Sequence, residues 1–413
     1  MPQTAGSRPP DSDRLYLSLH KTTRLTLVTA ALPRPGNGET PLVVHLSSVH
    51  QAGDVRIFRK ECRTLAAAGY RVALVAQGEV PSDAGAVRVV SMKSPTSRGE
   101  RMTITAWRVL RHALALKASL YHVHDAELIP VGMVLKLLNK RVVYDVHENL
   151  PADIRDKPWI PEILKPLAAS LAAAVEWAAV HLFDRIVVAD PGTAARFPPA
   201  RTVVIQNFVE PGELISIPNR PHADRPPNFV YVGGITILRG VTEMMDAIGC
   251  VKTPGATLTL VGRFSPDNLR DQMQLRPGWE RVRHLGWQSR RQVAVALGEA
   301  RAGLVVLHRV QNFLEAQPIK LFEYMSAGLP VIASDFPNWR RIIAEHDCGI
   351  LVDPMDPSAI ATAMDWMVEH PVEAEAMGQR GQQASQRYYV WATEGDRLVA
   401  LYSQLIGPAK CAG

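Results

Sequence analysis

Glu315 and Glu323, separated by seven residues, share one segment of the chain with Lys320. Glu323 sits at the opening of an apolar helix (Leu321, Phe322, Met325), and Lys320 precedes it by one turn. A helix start presents unpaired N–H groups and the positive end of its dipole, so phosphate is favoured there, and Lys320 adds a full charge. Further upstream, Asn228 to Val232 runs into Gly233-Gly234, with Arg239 close behind. A guanidinium can hold two phosphate oxygens in one fork. In the first half, His50, Asp54 and Arg56 follow an apolar run ending at Leu46. Arg56 is a candidate phosphate ligand, Gly53 permits close backbone approach, and Asp54 also suits a helix N-cap. His122-Val123-His124-Asp125 and Tyr144-Asp145-Val146-His147-Glu148 set imidazoles beside carboxylates at two further strand ends, where functional acid–base groups gather. No metal is expected among them, because no ligand pair falls at the helical i, i+4 spacing.

These residues need elements to hold them. From Pro41 the chain alternates β-branched runs with longer helix-like stretches. Strands are expected at Leu42–Leu46, Arg71–Ala76, Leu120–His124, Arg141–Asp145 and Asp184–Ala189. A helix from Val55 to Ala68 should stop at Gly69. Continuous apolar strands separated by helices mean a parallel sheet covered on both faces. After Pro211, a stretch with Pro218, Pro221, Pro226 and Pro227 reads as a loose linker. A second unit follows, with strands at Asn228–Val232, Ala256–Val261, Val282–Leu285, Ala302–Leu307 and Pro330–Ala333. The expected fold is thus α/β: two Rossmann-like, doubly wound parallel-sheet domains facing a cleft at their strand ends. The expected divisions are a flexible leader (1–40), a first domain (41–210), a second domain (211–390) and a terminal segment (391–413).

At 413 residues, with 47% hydrophobic and 21% charged residues, the chain can bury two cores and is not biased toward disorder. Cys62, Cys250, Cys348 and Cys411 lie far apart with no C-x-x-C pair, which disfavours a disulfide framework or a structural zinc site and fits a reducing cytoplasm. The apolar stretch Leu167–Phe183 is broken by Ser170, Glu176 and His181, so a buried helix is expected rather than a membrane span. The first 205 residues carry a net charge of +8 and the remainder −2. With no basic run interleaved with aromatics, this asymmetry points to an anionic lipid surface or acceptor and away from nucleic acid.

The segment from Asn312 to Ala333, with Glu315, Glu323 and the strand Gly328-Leu329-Pro330-Val331-Ile332-Ala333, resembles the signature of retaining GT-B glycosyltransferases of family four. The likeness extends over residues 43–405. His50-x-x-x-Asp54-x-Arg56-Ile57-Phe58 is similar to the first loop of a polysaccharide-assembly subgroup. By this resemblance Glu315 positions the donor sugar and Glu323 binds the nucleotide ribose. His147 or His124 meets the acceptor hydroxyl, and Tyr231 to Gly240 forms the diphosphate loop. Within that loop Gly233 approaches the diphosphate, and Arg239 stands where relatives carry Lys. Gly262, Arg263 and Trp287 lie where the nucleotide base is covered, and Leu321 belongs to the same donor segment. The catalysis implied is electrostatic, with Arg239 and Lys320 on the leaving diphosphate and no metal or other cofactor. The expected substrates are a nucleotide-diphosphate sugar and a lipid-linked glycan precursor at the inner membrane face. A basic-apolar stretch from Arg98 to Leu120 would touch that membrane. The alternatives are a soluble small-molecule acceptor, a non-hydrolysing nucleotide-sugar epimerase of the same fold, or a catalytically silent binding subunit. The last is disfavoured by the intact Glu315, Lys320 and Glu323 set.

Overall fold

The computed structural model describes residues 40–147, 149–156, 160–210, 212–214 and 220–409. The leader expected over 1–40 lies, apart from Thr40, outside the described residues, as does Cys411.

The β-branched runs form strands because a chain buried on both sides cannot alternate with solvent. Among the described residues, the first sheet comprises β1 (Leu42–Gln51), β2 (Arg71–Gln77), β3 (Val87–Met92), β4 (Leu120–Val123), β5 (Val142–Val146), β6 (Arg185–Val188) and β7 (Thr202–Val204). Its order is β3-β2-β1-β4-β5-β6-β7. The second sheet comprises β8 (Asn228–Val232), β9 (Thr257–Val261), β10 (Val282–Gly286), β11 (Ala302–Val305), β12 (Val331–Ser334) and β13 (Gly349–Val352), in the order β10-β9-β8-β11-β12-β13. Every pairing in both sheets is parallel. This is the doubly wound α/β architecture expected from the alternation. The connections reverse direction at β1/β4 and again at β8/β11, and the crevice left there at the carboxyl ends is where such sheets take ligands.

The helix after β1 starts on Asp54, whose carboxylate accepts from the Arg56 and Ile57 amides, and its first stretch, Val55–Cys62, is wound in wider π turns before Arg63–Ala67 tightens to α. The last helix, Trp391–Ile406, belongs to the first domain's core: Leu398, Leu401 and Tyr402 pack with Val43, Val72 and Phe58.

Two expectations need correction. The proline-rich stretch is not loose from Pro221 onward, because His222 and Arg225 are buried and bound to the Arg301 and Ala300 carbonyls. Nor is the 167–183 stretch a buried helix. The Lys165–Leu182 helix docks through Ala169, Glu176, Ala179 and Val180, with Glu176 paired to Arg196 at 2.5 Å. Its large residues face outward: Leu167 is 70% exposed, Leu171 65% and Trp177 66%. By length and composition this helix could cross a membrane. An apolar helix with no polar stripe does not reveal which face docks, and here the small alanines set the packing face.

Trp391 anchors the returning helix, with its indole N–H donating to Thr64 Oγ1 at 2.8 Å and its backbone N–H to the Val209 carbonyl at 3.0 Å. Trp391→Ala should therefore cost about 3–5 kcal/mol in urea unfolding, the usual range for emptying an aromatic core position. A loss below about 1 kcal/mol would contradict that role.

Candidate active site

The second sheet's carboxyl ends are drawn together by backbone contacts that glycine alone permits. Gly233 N–H donates to Val261 O and Gly262 N–H to Gly286 O, both at 2.8 Å. At Gly262, where φ is +146°, a Cβ would stand 1.9 Å from the Gly233 carbonyl oxygen, so no side chain fits. The Tyr231 hydroxyl donates to Gly234 O at 2.8 Å, and the Val232 amide donates to the Tyr324 hydroxyl at 2.9 Å. The latter bond ties the glycine loop to the Ile319–Ser326 helix, which carries Lys320 and Glu323.

Between these parts lies a cavity of about 360 Å³, lined by Gly233, Arg239, Arg290, Lys320, Glu323 and Phe313 among others. Arg239 Nη1 donates to Gly234 O at 3.3 Å, and Lys320 Nζ lies 3.1 Å from the Tyr231 hydroxyl and 4.5 Å from its ring centre. Burial lowers the Lys320 ammonium to about 7, assisted by Arg239 and opposed by Glu323. Two basic side chains thus face one small space with, among the described residues, no carboxylate hydrogen-bonded to either, the electrostatics of a polyanion site.

Arg290 was not singled out in the sequence, since it sits in no motif, yet it braces Glu323. Its Nη1 donates to Glu323 Oε1 at 2.7 Å while its Nε donates to Glu213 Oε1 at 2.8 Å. The capping box of the Arg290–Gly298 helix, Ser289 with Gln292, fixes where that arginine starts. Glu315 closes the short Gln311–Glu315 helix beside the cavity-lining Ala316, whose carbonyl accepts from the Trp339 indole at 2.9 Å.

The other expected donor residues divide. Arg263 and Trp287 follow β9 and β10 and are exposed, Trp287 by 70%, so the indole is not core packing. Leu321 is a correction: its side chain is buried in the second domain's core with Leu297 and Met325, one helix face away from the cavity. Arg56 is another. Its Nε and Nη2 donate to Asp145 at 3.0 and 2.9 Å and its Nη1 to Ile205 O at 3.0 Å, leaving no fork for phosphate. Gly53 lies before the same helix. His124 is buried, its Nδ1 3.2 Å from Asp145 Oδ2, and so is not open to an acceptor. His147 is the more exposed member, 3.2 Å from Asp145 and 3.3 Å from His124. Burial alone would raise the Asp145 carboxyl, but the Arg56 guanidinium and the His147 ring hold it well below the carboxylate range. Asp125 is spent on the loop after β1, accepting from Ser47 Oγ, the Ser48 amide and the Val49 amide at 2.8, 2.5 and 3.1 Å. His50 pairs with Asp54 at 3.2 Å; burial would lower its imidazole, but that bond and the nearby carboxylates raise it to about 9.

Residues 53–213 match the family model Glycosyltransferase Family 4, and residues 215–384 match Glycosyl transferases group 1. The chain carries the two domains of a GT-B glycosyltransferase. It is 28% identical over 166 residues to the phosphatidyl-myo-inositol mannosyltransferase of Mycobacterium leprae, covering 40% of this chain and 42% of that one. The chain spans less than half the length of the curated relatives it matches. Among solved structures, the sucrose-phosphate synthase of Thermosynechococcus elongatus aligns with a TM-score of 0.72 at 20% identity, over 88% of this chain and 99% of that one. Anabaena HepE in complex with UDP-glucose aligns at 0.68 with 14% identity, over 88% and 100%. These likenesses establish the GT-B fold.

The lowered Lys320 supplies a test of the polyanion site. A neutral amine must gain a proton to meet a diphosphate, so binding should draw in protons above pH 7 and weaken as pH rises. At pH 8, calorimetry of UDP in buffers of different ionisation enthalpy should show uptake approaching one proton per site, falling toward zero at pH 6. Binding with no uptake at pH 8 would contradict the placement of Lys320 against the phosphates.

Proposed function

We propose that the protein moves a sugar from a nucleotide-diphosphate sugar to a lipid-linked glycan precursor, with retention of the anomeric configuration, at the inner face of the cell membrane. The observation that carries the donor half is the cavity in which Arg239 and Lys320 meet beside the Gly233–Gly262 contact, with Glu323 braced by Arg290. In this reading the diphosphate lies against the glycine loop, and the two cations stabilise it as the sugar's anomeric bond breaks. Glu323 accepts from the ribose hydroxyls, and Glu315 positions the donor sugar. The acceptor hydroxyl enters from the first domain, near His147, and loses its proton to a phosphate oxygen on the same face, which accounts for retention without a covalent intermediate. No metal or other cofactor enters these steps.

The acceptor half has separate support. Three helices on one face of the first sheet, Ala106–Leu116, Ile129–Leu137 and Lys165–Leu182, expose large apolar side chains, including Trp107, Leu137, Leu167, Leu171 and Trp177. Of the nearby arginines, Arg101 is engaged with Glu127 at 2.6 and 2.7 Å, while Arg108 and Arg111 stand closer to solvent, Arg111 5.7 Å over the Trp107 ring. Apolar side chains among cations suit the headgroup region of an anionic bilayer. The relative named for a phosphatidyl-inositol acceptor is consistent with such a site.

Arg239→Ala should lower kcat by about 10²–10³-fold, the loss seen when one preorganised contact to a developing anion is removed, with the fold unchanged by circular dichroism. A loss below threefold would mean that the loop is only a structural turn, and turnover of donor alone would favour the epimerase reading. In sedimentation, the protein should pellet with anionic liposomes at low salt and be largely released at about 0.5 M salt, where charge attraction is screened. The triple variant Leu167→Ser, Leu171→Ser, Trp177→Ser should pellet several-fold less. Wild-type protein that stays in the supernatant with anionic vesicles would overturn the membrane acceptor.

A further inference from the structure

Beneath the first domain's strand ends, three histidines and a glutamate converge where the proposed transfer chemistry has no use for them. His45 comes from β1, His122 and His124 from β4 and its end, and Glu61 from the π-wound Val55–Cys62 helix; all four are at most 2% exposed. One ligand atom from each lies within 4.8 Å of all the others. His45 Nδ1 and His124 Nε2 are 2.8 Å apart, and Glu61 Oε2 stands 3.7 and 3.8 Å from them. Tetrahedral ligands of a zinc-sized ion sit about 3.4 Å apart, so these three edges need to move by about 0.6 Å or less, and the widest separation in the group closes by about 1.4 Å.

The second observation is what the group leaves unpaired. Among the described residues no N–H or O–H donor is directed at either oxygen of Glu61, whose carboxyl lies within hydrogen-bond reach of the Asp145 carboxyl, and His122 Nε2 has no partner. Arg56 Nε lies 3.1 Å from Glu61 Oε1, but its N–H is directed to Asp145. Buried polar atoms normally find partners, and an imidazole nitrogen with none beside a carboxylate that receives no directed donor calls for an occupant. The remaining ring nitrogens, by contrast, are all held. The Tyr402 hydroxyl lies 2.7 Å from His122 Nδ1 and 3.2 Å from His45 Nε2, and His124 Nδ1 lies 3.2 Å from Asp145. Outer partners on the far nitrogen of each histidine are what fix imidazoles for metal ligation.

We infer that His45, Glu61, His122 and His124 form a closed structural site for one divalent transition-metal ion of the zinc class. Four protein ligands leave no open position for a substrate, so the ion's work is cohesion. It joins β1, β4 and the Val55–Cys62 helix, and through Tyr402 and Asp145 it reaches the returning Trp391–Ile406 helix and β5. The i, i+4 spacing sought in the sequence fails to reveal such a site because its ligands come from three different elements. Full burial means the ion enters as the chain folds.

The test uses tag-free full-length protein from zinc-supplemented cells. Mass-spectrometric metal analysis should give about one zinc per chain, retained through gel filtration in EDTA. Protein unfolded with chelator and refolded with Co²⁺ should show tetrahedral d–d absorption, and refolding without metal should lower the Tm by at least about 5 °C. Glu61→Gln, which keeps the packing, and His122→Ala each remove a ligand and should weaken metal retention by more than about 10–100-fold, the cost of losing only an outer partner. His50→Ala, at the half-buried rim, should leave it unchanged. Fewer than about 0.1 ion per chain, with metal-free protein refolding to the same Tm, would overturn the inference. So would full occupancy undiminished in both Glu61→Gln and His122→Ala.

Discussion

A parallel sheet buried on both faces has only the ends of its strands to offer a ligand, and this chain contains two such sheets. The helices that satisfy the faces of each sheet also close them. What remains open is the pair of crevices where the connections change direction, at β1/β4 and β8/β11. Chemistry-bearing residues therefore collect at strand ends in both halves, although they serve different purposes there. The second sheet's ends are stripped to glycine so that the Gly233 and Gly262 backbones touch, beside the cavity proposed to take the diphosphate. The first sheet's ends are filled instead, with imidazoles, carboxylates and one guanidinium.

That filling carries a risk. Arg56, Asp145 and Glu61 are out of water together, and truncating a partner of a buried pair leaves an uncompensated charge. Arg56 therefore reads as the keystone of the first domain rather than as a substrate ligand, since it holds β5, the start of the Val55–Cys62 helix and the Ile205 carbonyl beyond β7. From there the chain passes toward the second domain through contacts that span the two. Gln206 Nε2 donates to Gln317 Oε1 at 2.5 Å, and Arg290 joins Glu213 to Glu323. The glutamate proposed for the ribose is thus tied through Arg290 to the segment between the domains.

Ten of the thirteen strands, the nine interior ones and the edge strand β10, are legible in the sequence within a residue or two at most ends, because runs such as Val142 to Val146 admit no other reading. The edge strands β3, β7 and β13 escaped notice, since a strand with one exposed side, like Val87-Arg88-Val89-Val90-Ser91-Met92, carries too weak a pattern. That Gly233, Arg239, Lys320 and Glu323 gather at one cavity is legible because their spacing is local. Arg290 was not, and Arg56 was misjudged, because their partners lie 33 and 89 residues away and nothing local announces them. Leu321 was assigned to the ligand on proximity alone, and the helix turned it to the core. The Lys165–Leu182 helix shows the same limit, since composition predicts burial but not which side is buried.

The most direct measurement of the donor assignment is a crystal structure of the full-length protein with a nucleoside diphosphate. The expected result places both phosphates in the second-domain cavity, within hydrogen-bond distance of Arg239 and Lys320, with the ribose hydroxyls on Glu323. Diphosphate density against the first domain, or in the second with Arg239 and Lys320 both beyond contact, would contradict it.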